Sequence, residues 1–442
     1  MSAERYFGVM DCNNFFVSCE RVFNPNLEGK PVVVLSNNDG CAVSRSQEAK
    51  ALGIRMGTPA FKIAQEYISK GINVQMCSSN YTLYADMSRR VMRILRSIVG
   101  EVEVYSIDES FIEFRGMDLE RIKTLSREIV EKVARFTGIP VCVGVAKTKT
   151  LAKVANKFAK KYPGYRRFCL ISTEEQRLAA LKHIPAEDVW GIGYRTMKRF
   201  NAEGIKTAYD FTCRHPYWIK KTMGVCGLRV YEELCGRSVI SLGKAKDKKS
   251  ITTSRSFGTM VESIEQLQTA VSNFATSCAQ KLRAQSSAAL YATVYLMTNP
   301  FREDLPQYFN SAVVEFPQAT SSSLELVEGT LRALDKIYLP GFKYKKAGVL
   351  VSGIVPNGHI QQNLYYEQNT EKLSRIDLLM DDVNRRWGKG ALHLAVQGNS
   401  ALYNLKRNEY GVTPREEEWE MRREHLSGNY TTNLQEVITV RC

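Results

Sequence analysis

The chain has 442 residues, 44% of them hydrophobic, and a formal net charge of +15 from 61 Lys and Arg against 46 Asp and Glu. Such a length exceeds one core and suggests about three domains, and the charge favours a polyanionic partner, nucleic acid ahead of a membrane surface. No run of about 18 apolar residues and no charged-then-apolar leader occurs, so a cytoplasmic protein is expected. Eleven cysteines, an odd number without a Cys-x-x-Cys pair, read as reduced buried thiols, and the five histidines are too dispersed for a local metal site.

In chain order, Tyr6–Met10 is an apolar strand ending in Asp11. The helix after it places Phe15, Phe16, Cys19 and Val22 on one face, and a helix beginning just beyond an acid-bearing strand can aim backbone N–H groups at a phosphate. Pro31–Leu35 reads as a strand and Asn37-Asn38-Asp39-Gly40 as a turn. Val43–Leu52 reads as a helix closed by Gly53, carrying Ser44, Arg45 and Lys50 either as triphosphate contacts or as a solvated face. Thr58-Pro59 opens a helix reaching Ser69, so residues 20–74 form a compact insert. From Asn80 to Ile98, Leu83, Met87, Val91 and Leu95 recur at helical spacing.

Tyr105-Ser106-Ile107-Asp108-Glu109-Ser110-Phe111 interrupts a β-prone run with two adjacent carboxylates. Glu101–Tyr105 alternates with period two and Phe111–Phe114 resumes, so the segment reads as two strands around a polar turn. Neighbours on a straight strand point to opposite faces, so Asp108 and Glu109 share an ion only where the backbone turns. Hard divalent cations take carboxylate oxygens, and a catalytic pair of ions about 3.5–4 Å apart needs a further acid, for which Asp11 is the candidate. Alone, the stretch reads sooner as a solvated acidic turn.

Helix Leu119–Phe136 and strand Val141–Ala146 complete an α+β arrangement, with an antiparallel sheet covered on one face. Lys147–Arg167 holds eight basic residues and no acid. Its helix, Leu151–Lys161, turns Leu151, Val154, Ala155 and Phe158 inward and leaves Lys153, Lys157 and Lys160 for phosphate or solvent. Residues 170–235 read as mostly helical; Gly191-Ile192-Gly193, with Lys198 and Arg199 near, is either a DNA-binding hairpin or an ordinary turn. Gly243–Lys249 is a basic linker. Strand Ile251–Phe257, helix Ser263–Arg283, strands Ala289–Thr298 and Ser311–Phe316, helix Ser322–Tyr338 and strand Lys345–Ile354 give βαββαβ, the split-βαβ order, as a separate domain. Lys343, Lys345 and Lys346 are placed there to follow a nucleic-acid backbone. A loop over Pro356–Tyr366, a helix over Glu371–Trp387 and the charged stretch Arg415–Glu424 read as a docking region.

Taken together, Asp11-Cys12-Asn13-Asn14-Phe15-Phe16, Ser106-Ile107-Asp108-Glu109, Val145-Ala146-Lys147-Thr148-Lys149-Thr150-Leu151-Ala152-Lys153 and Gly191-Ile192-Gly193 resemble, in that order, the Y-family translesion DNA polymerases. Leu35-Ser36-Asn37-Asn38-Asp39-Gly40-Cys41, Ser78-Ser79-Asn80-Tyr81 and Leu83-Tyr84-Ala85-Asp86-Met87-Ser88 are similar to the UmuC-type branch of that family. The resemblance implies a multidomain α+β right hand: palm over 1–19 and 75–166, fingers 20–74, a helical thumb 167–240, a basic linker 241–250, a βαββαβ little finger 251–355 and a C-terminal docking region 356–442. It also implies error-prone, template-directed DNA synthesis in the SOS DNA-damage response, on primer-template DNA and dNTP.

By the same resemblance, Asp11, Asp108 and Glu109, with the Cys12 carbonyl, would hold two Mg²⁺. Phe15 and Phe16 would meet the nucleotide, Phe16 as the gate that excludes ribonucleotides. Ser44, Lys160 and Lys50, the last standing where relatives commonly carry arginine, would meet the triphosphate. Lys153, Gly191, Gly193, Lys198 and Lys345 are the residues expected at the DNA. Gln361-Gln362-Asn363-Leu364-Tyr365 falls at the place of a sliding-clamp peptide, with Gln361, Leu364 and Tyr365 as contacts and with Gln362 and Tyr365 replacing the usual leucine and phenylalanine. A UmuD′-like dimer and a RecA filament are further implied partners; no membrane is. Two rivals stay open: another palm-domain nucleotidyl enzyme, and a catalytically inactive DNA-binding or clamp-docking factor.

Overall fold

The computed structural model describes residues 5–243, 247–361, 363, 365, 370–388, 390–398 and 423–428. Linker residues 244–246, positions 362, 364 and 366 of the clamp-like segment, and 415–422 of the charged stretch lie outside the described residues. The chain forms two compact units, residues 1–245 with 424–442, and residues 246–423.

The first unit is built on β1 (Arg5–Cys12), buried without a break from Tyr6 to Met10, as a strand is when both faces are covered. After a left-handed Asn14, with φ of 48°, comes α1 (Phe15–Phe23). A small sheet then gathers β2 (Val32–Leu35), β3 (Ala42–Arg45) and, after α2 (Gln47–Ala51) and α3 (Ala60–Glu66), β4 (Gln75–Ser78). Its order is β3-β2-β4. The helix expected over Val43–Leu52 is therefore two elements. Val34 pairs with Ser44 and Val33 with Arg45 in an antiparallel ladder, and the helix starts only beyond Ser46, whose Oγ caps it by accepting from Ala49 N at 3.2 Å.

The larger sheet is completed around α4 (Tyr81–Val99), by β5 (Val102–Val104), β6 (Glu109–Arg115), α5 (Leu119–Thr137), β7 (Val141–Ala146), α6 (Lys149–Lys161) and β8 (Phe168–Ile171). Strand order is β5-β6-β1-β7-β8, antiparallel except for β7 with β8. Two expectations are corrected here. The sheet is mixed, because the four-residue β8 is too short to be told from a helix by pattern. It is also covered on both faces: Tyr6 and Met10 join α4 and α5 in one core, while Phe7 and Val9 join Leu151, Val154 and Ala155 of α6 in another. Alternation along β1 sends successive side chains to opposite cores, which an unbroken apolar run requires. The helical remainder is α7 (Glu174–His183), α8 (Tyr194–Ala202), α9 (Ala208–Thr212) and α10 (Pro216–Leu234), the last broken at Gly224.

The second unit contains β9 (Ile251–Val261), α11 (Ile264–Ala284), β10 (Ser287–Thr298), β11 (Phe309–Thr320), α12 (Ser323–Ile337) and β12 (Tyr344–Pro356). The element order is the expected βαββαβ. The sheet order, β11-β10-β12-β9, is wholly antiparallel, with β12 lying between β9 and β10, the two strands that α11 joins, which is the separation a split-βαβ unit requires. Within this unit α13 (Thr370–Trp387) is tied to α11: Arg283 Nη1 lies 3.2 Å from Asp377 Oδ1 and Nε 2.7 Å from Asp381 Oδ2. No described helix is long and apolar enough to cross a membrane, and every described cysteine is free.

Candidate active site

The ends of β1 and β6 bring the expected acids together along the backbone. Asp11 is the register partner of Glu109, and Cys12 N donates to Asp108 O at 2.9 Å. The turn feeding β6 is tight, with Tyr105 N and Ser106 N both donating to Glu109 O at 3.0 Å. Such a turn frees adjacent residues from strand alternation, so Asp108 and Glu109 can serve one region. Ser106 Oγ donates to Asp108 Oδ1 at 2.5 Å.

The carboxylates do not converge on a point. Among the described residues no group of three His, Cys, Asp or Glu side chains is close enough to hold one ion. Instead Lys160 Nζ lies 2.5 Å from Asp11 Oδ1 and Lys153 Nζ 2.6 Å from Glu109 Oε1. Lys157 pairs with Asp188. The three α6 lysines expected to be available for phosphate are thus each matched to an acid, two of them to the candidate metal ligands. Burial pushes the Asp11 carboxyl up to about 6, against the pull of Lys160 and with a further push from Asp108 and Glu109. Crowded, partly desolvated carboxylates of this kind suit a hard cation, which removes their mutual repulsion.

Opposite the acids, Lys50 Nζ donates to Asn14 Oδ1 at 2.6 Å, at the turn between β1 and α1. Burial, then the nearby Arg45 and Lys160 cations, hold the Lys50 ammonium below its usual range, which places three cations around the Asp11 end of the sheet. Ser44 is buried on β3, and Arg45 Nη1 donates to Ile54 O at 2.8 Å. Phe15 is a core residue. Phe16 is only partly buried and stacks on Tyr84, ring centroids 4.3 Å apart at 14°, with Tyr81 edge-on at 6.0 Å.

An aromatic box around Lys153 was not foreseen from sequence. Its Nζ stands 4.3 Å from the Tyr105 ring centroid, 5.0 Å from that of Trp190 and 5.6 Å from that of Phe111, and Trp190 Nε1 donates to Tyr105 Oη at 3.0 Å. Cation–π contacts of this kind hold an ammonium in place without neutralising it. Sequence spacing offers no signal for it, because Tyr105 and Trp190 lie 85 residues apart.

Gly191, at φ of 90°, makes the turn before α8, and Gly193 is the residue at which α8 begins. Lys198 Nζ lies 5.1 Å from the Tyr194 ring on that helix. Lys345 is placed otherwise than expected: its Nζ donates to Phe257 O at 2.6 Å, tying strands together. Its neighbour Lys346 lies beside the Tyr295 ring at 5.9 Å. Gln361 and Tyr365 border a cavity of 810 Å³ with Phe316 and Val355, and Tyr365 is 98% exposed; Leu364 falls outside the described residues.

A mixed sheet carrying three acids at one end, followed by a helical segment and a βαββαβ unit, is the architecture of Y-family DNA polymerases. The solved structure of a Y-family polymerase chimera of Dbh and Dpo4 shares it, with a TM-score of 0.64 and 21% identity over 80% of this chain and 100% of its own. The impB/mucB/samB family pattern matches residues 10–157, the C-terminal domain of that family matches 248–364, and a domain of unknown function matches 374–440. Protein UmuC of Salmonella typhimurium is 39% identical over 441 residues, covering 98% of this chain and 100% of UmuC. Protein ImpB of the same organism is 38% identical over 443 residues, covering 98% and 99%. The chain belongs to the impB/mucB/samB family, the UmuC-like group of Y-family polymerases.

Proposed function

We propose that this chain is a template-directed, error-prone DNA polymerase that extends a primer past damaged bases in the SOS response. The observation that carries the reading is the alignment of Asp11, Asp108 and Glu109 at the joined ends of β1 and β6, faced by Lys153, Lys160 and Lys50. Asp11, Asp108, Glu109 and the Cys12 carbonyl would hold divalent ions, a Mg²⁺ pair, whose chemistry is to make the primer 3′-hydroxyl a better nucleophile and to stabilise the in-line transition state.

The protein's own part is positioning and fixed charge, which dominate phosphoryl transfer. Lys160 and Lys50 take the triphosphate oxygens, with Ser44 beside them. The first turn of α1 carries no acidic residue and presents backbone N–H groups to the same anion. The Phe16 ring, backed by Tyr84, stands under the sugar and leaves no space for a 2′-hydroxyl. Lys153, the Gly191–Gly193 turn, Lys198 and Lys346 hold the DNA backbone without reading sequence, so binding weakens with salt.

In these terms the first unit supplies palm, fingers and thumb, and the second the little finger. Gln361–Tyr365 docks on a sliding clamp, a reading supported by the exposure of Tyr365. A UmuD′-like dimer and a RecA filament act with the chain in the cytoplasm. Primer extension with Mg²⁺ tests the whole reading: Asp108→Ala is expected to abolish incorporation while retaining duplex binding measured by titration. Near wild-type extension by the folded variant refutes the assignment of the acids.

A further inference from the structure

Residues Glu424–Gly428 lie against the first unit, at the open edge of the three-stranded sheet. Ser78 N, at the end of edge strand β4, donates to His425 O at 2.9 Å, and His425 N returns a bond to Ser78 Oγ at 2.9 Å. Glu424 N donates to Asp39 Oδ2 at 2.8 Å. The segment thereby pairs backbone groups that a sheet edge leaves open.

Ser427 reaches beyond that edge. Its Oγ accepts from Asn80 Nδ2 at 3.1 Å and donates to Glu20 Oε1 at 3.2 Å. Glu20, only 2% exposed, also accepts from Tyr84 Oη at 2.6 Å. Asn80 is the residue that caps α4, its Oδ1 accepting from Leu83 N at 3.2 Å, and the first turn it starts carries Tyr81 and Tyr84, the two rings against Phe16. One route of direct contacts therefore runs from Ser427 through Glu20 and Tyr84 to Phe16, and a second from Ser427 through Asn80 to the start of the same helix. Burial raises the Glu20 carboxyl above its usual range, opposed by the Tyr84 and Ser427 hydroxyls; a buried carboxylate with so few donors depends on each of them.

We propose that the C-terminal segment is a strap that sets sugar selection, and that Ser427 is a positioning residue within it: by holding Glu20 and Asn80 it fixes the Tyr84 ring on which Phe16 rests. The inference builds on the reading of Phe16 as the sugar gate. A stacked ring blocks a hydroxyl only while its support is fixed. Loosening Tyr84 lets Phe16 yield to a ribonucleotide, whereas a deoxyribonucleotide never presses on it, so the variant should bind ribonucleotides better without gaining on deoxyribonucleotides.

The test is single-nucleotide incorporation by the full-length protein, comparing kcat/KM for dNTP and rNTP in wild type, Ser427→Ala, Ser427→Thr and Phe16→Ala, alongside their melting temperatures. Ser427→Ala is expected to lower the dNTP-to-rNTP ratio by about three- to tenfold, the scale of one ordinary net hydrogen bond, through a lower KM for rNTP. Ser427→Thr, which keeps the hydroxyl, should restore the ratio. If Phe16→Ala lowers the ratio and Ser427→Ala does not, the strap proposal is overturned while the gate stands; if neither lowers it, the gate reading falls and takes the proposal with it. Amide exchange over residues 81–87 gives a measure independent of activity: Ser427→Ala should accelerate it there more than over β7, and unchanged exchange also overturns the proposal.

Discussion

Replacing Gly144 by alanine should injure both stability and catalysis, because this glycine is the point where α6 meets the sheet. A Cβ built there lies 2.0 Å from Asn156 N, 2.4 Å from Ala152 O and 2.5 Å from Asn156 Cα, all backbone atoms of α6 that cannot turn aside. The helix must retreat by roughly 1.5 Å to restore ordinary contact, and overpacking of this kind typically costs about 1–3 kcal/mol, with backbone partners placing it at the upper end. Reduced freedom of the unfolded chain returns at most about 1 kcal/mol of that. The same retreat withdraws Lys153 and Lys160 from Glu109 and Asp11, and a misplacement of about 1 Å can cost about a hundredfold in rate. Gly193→Ala is the control, since a Cβ there meets nothing within 4 Å. Thermal unfolding and primer extension on both variants check the reasoning: Gly144→Ala should melt lower and lose about two decades in kcat/KM, while Gly193→Ala keeps its stability. A Gly144→Ala protein with wild-type melting temperature and kcat/KM would refute the claim that α6 is held at this contact.

Phe16→Ala should lower the dNTP-to-rNTP incorporation ratio by at least about tenfold, roughly 1.4 kcal/mol of transition-state discrimination, at a smaller stability loss than the about 3–5 kcal/mol of a fully buried phenylalanine; steady-state kinetics and melting curves read both. Lys346→Ala should weaken duplex binding and reduce the salt slope by about one, whereas Lys345→Ala, which breaks the tie to Phe257 O, should lower stability and leave the slope unchanged; titrations across a salt series separate the two. Leu364→Ala with Tyr365→Ala should weaken binding to a sliding clamp by at least about tenfold, since apolar anchors dominate peptide affinity, and unchanged affinity in a titration would dismiss the docking segment.

The placing of the acids at strand ends was legible because they break a pattern, while their part as metal ligands was decided only by the family resemblance. Asp108 and Glu109 interrupt two alternating strands, and Asp11 ends an unbroken apolar one, so each is visible within a window of a few residues. Their partners are not visible in any window. Lys160 and Asp11 are separated by 149 positions and Ser427 and Glu20 by 407, and neither sequence pattern nor charge count distinguishes a lysine aimed at an acid from one in solvent. Element types survived the same way: βαββαβ was readable from six periodic segments, but the strand order was not, because the order depends on how β12 returns between β10 and β9. Val43–Leu52 was misread because Ser46, the cap that starts α2, sits inside what looked like one helical run.

The charge arrangement gives the lysines a definite use. Asp11, Asp108 and Glu109 carry three negative charges, and Arg45, Lys50, Lys153 and Lys160 carry four positive ones around the same end of the sheet. The lysines therefore offset part of the repulsion among the acids in a partly buried setting, where uncompensated charge is costly. Adding divalent ions alone would leave the region strongly positive, and adding a triphosphate alone would leave it strongly negative. Only both together would keep it near neutral, and on the proposed reading Lys153 and Lys160 would then pass from a carboxylate to a phosphate oxygen as the cations take over the acids. On the proposed reading, the lysines of α6 would offset the charge of Asp11 and Glu109 until nucleotide and cation arrive as a pair, which is why their seat on the sheet at Gly144 matters as much as their sequence.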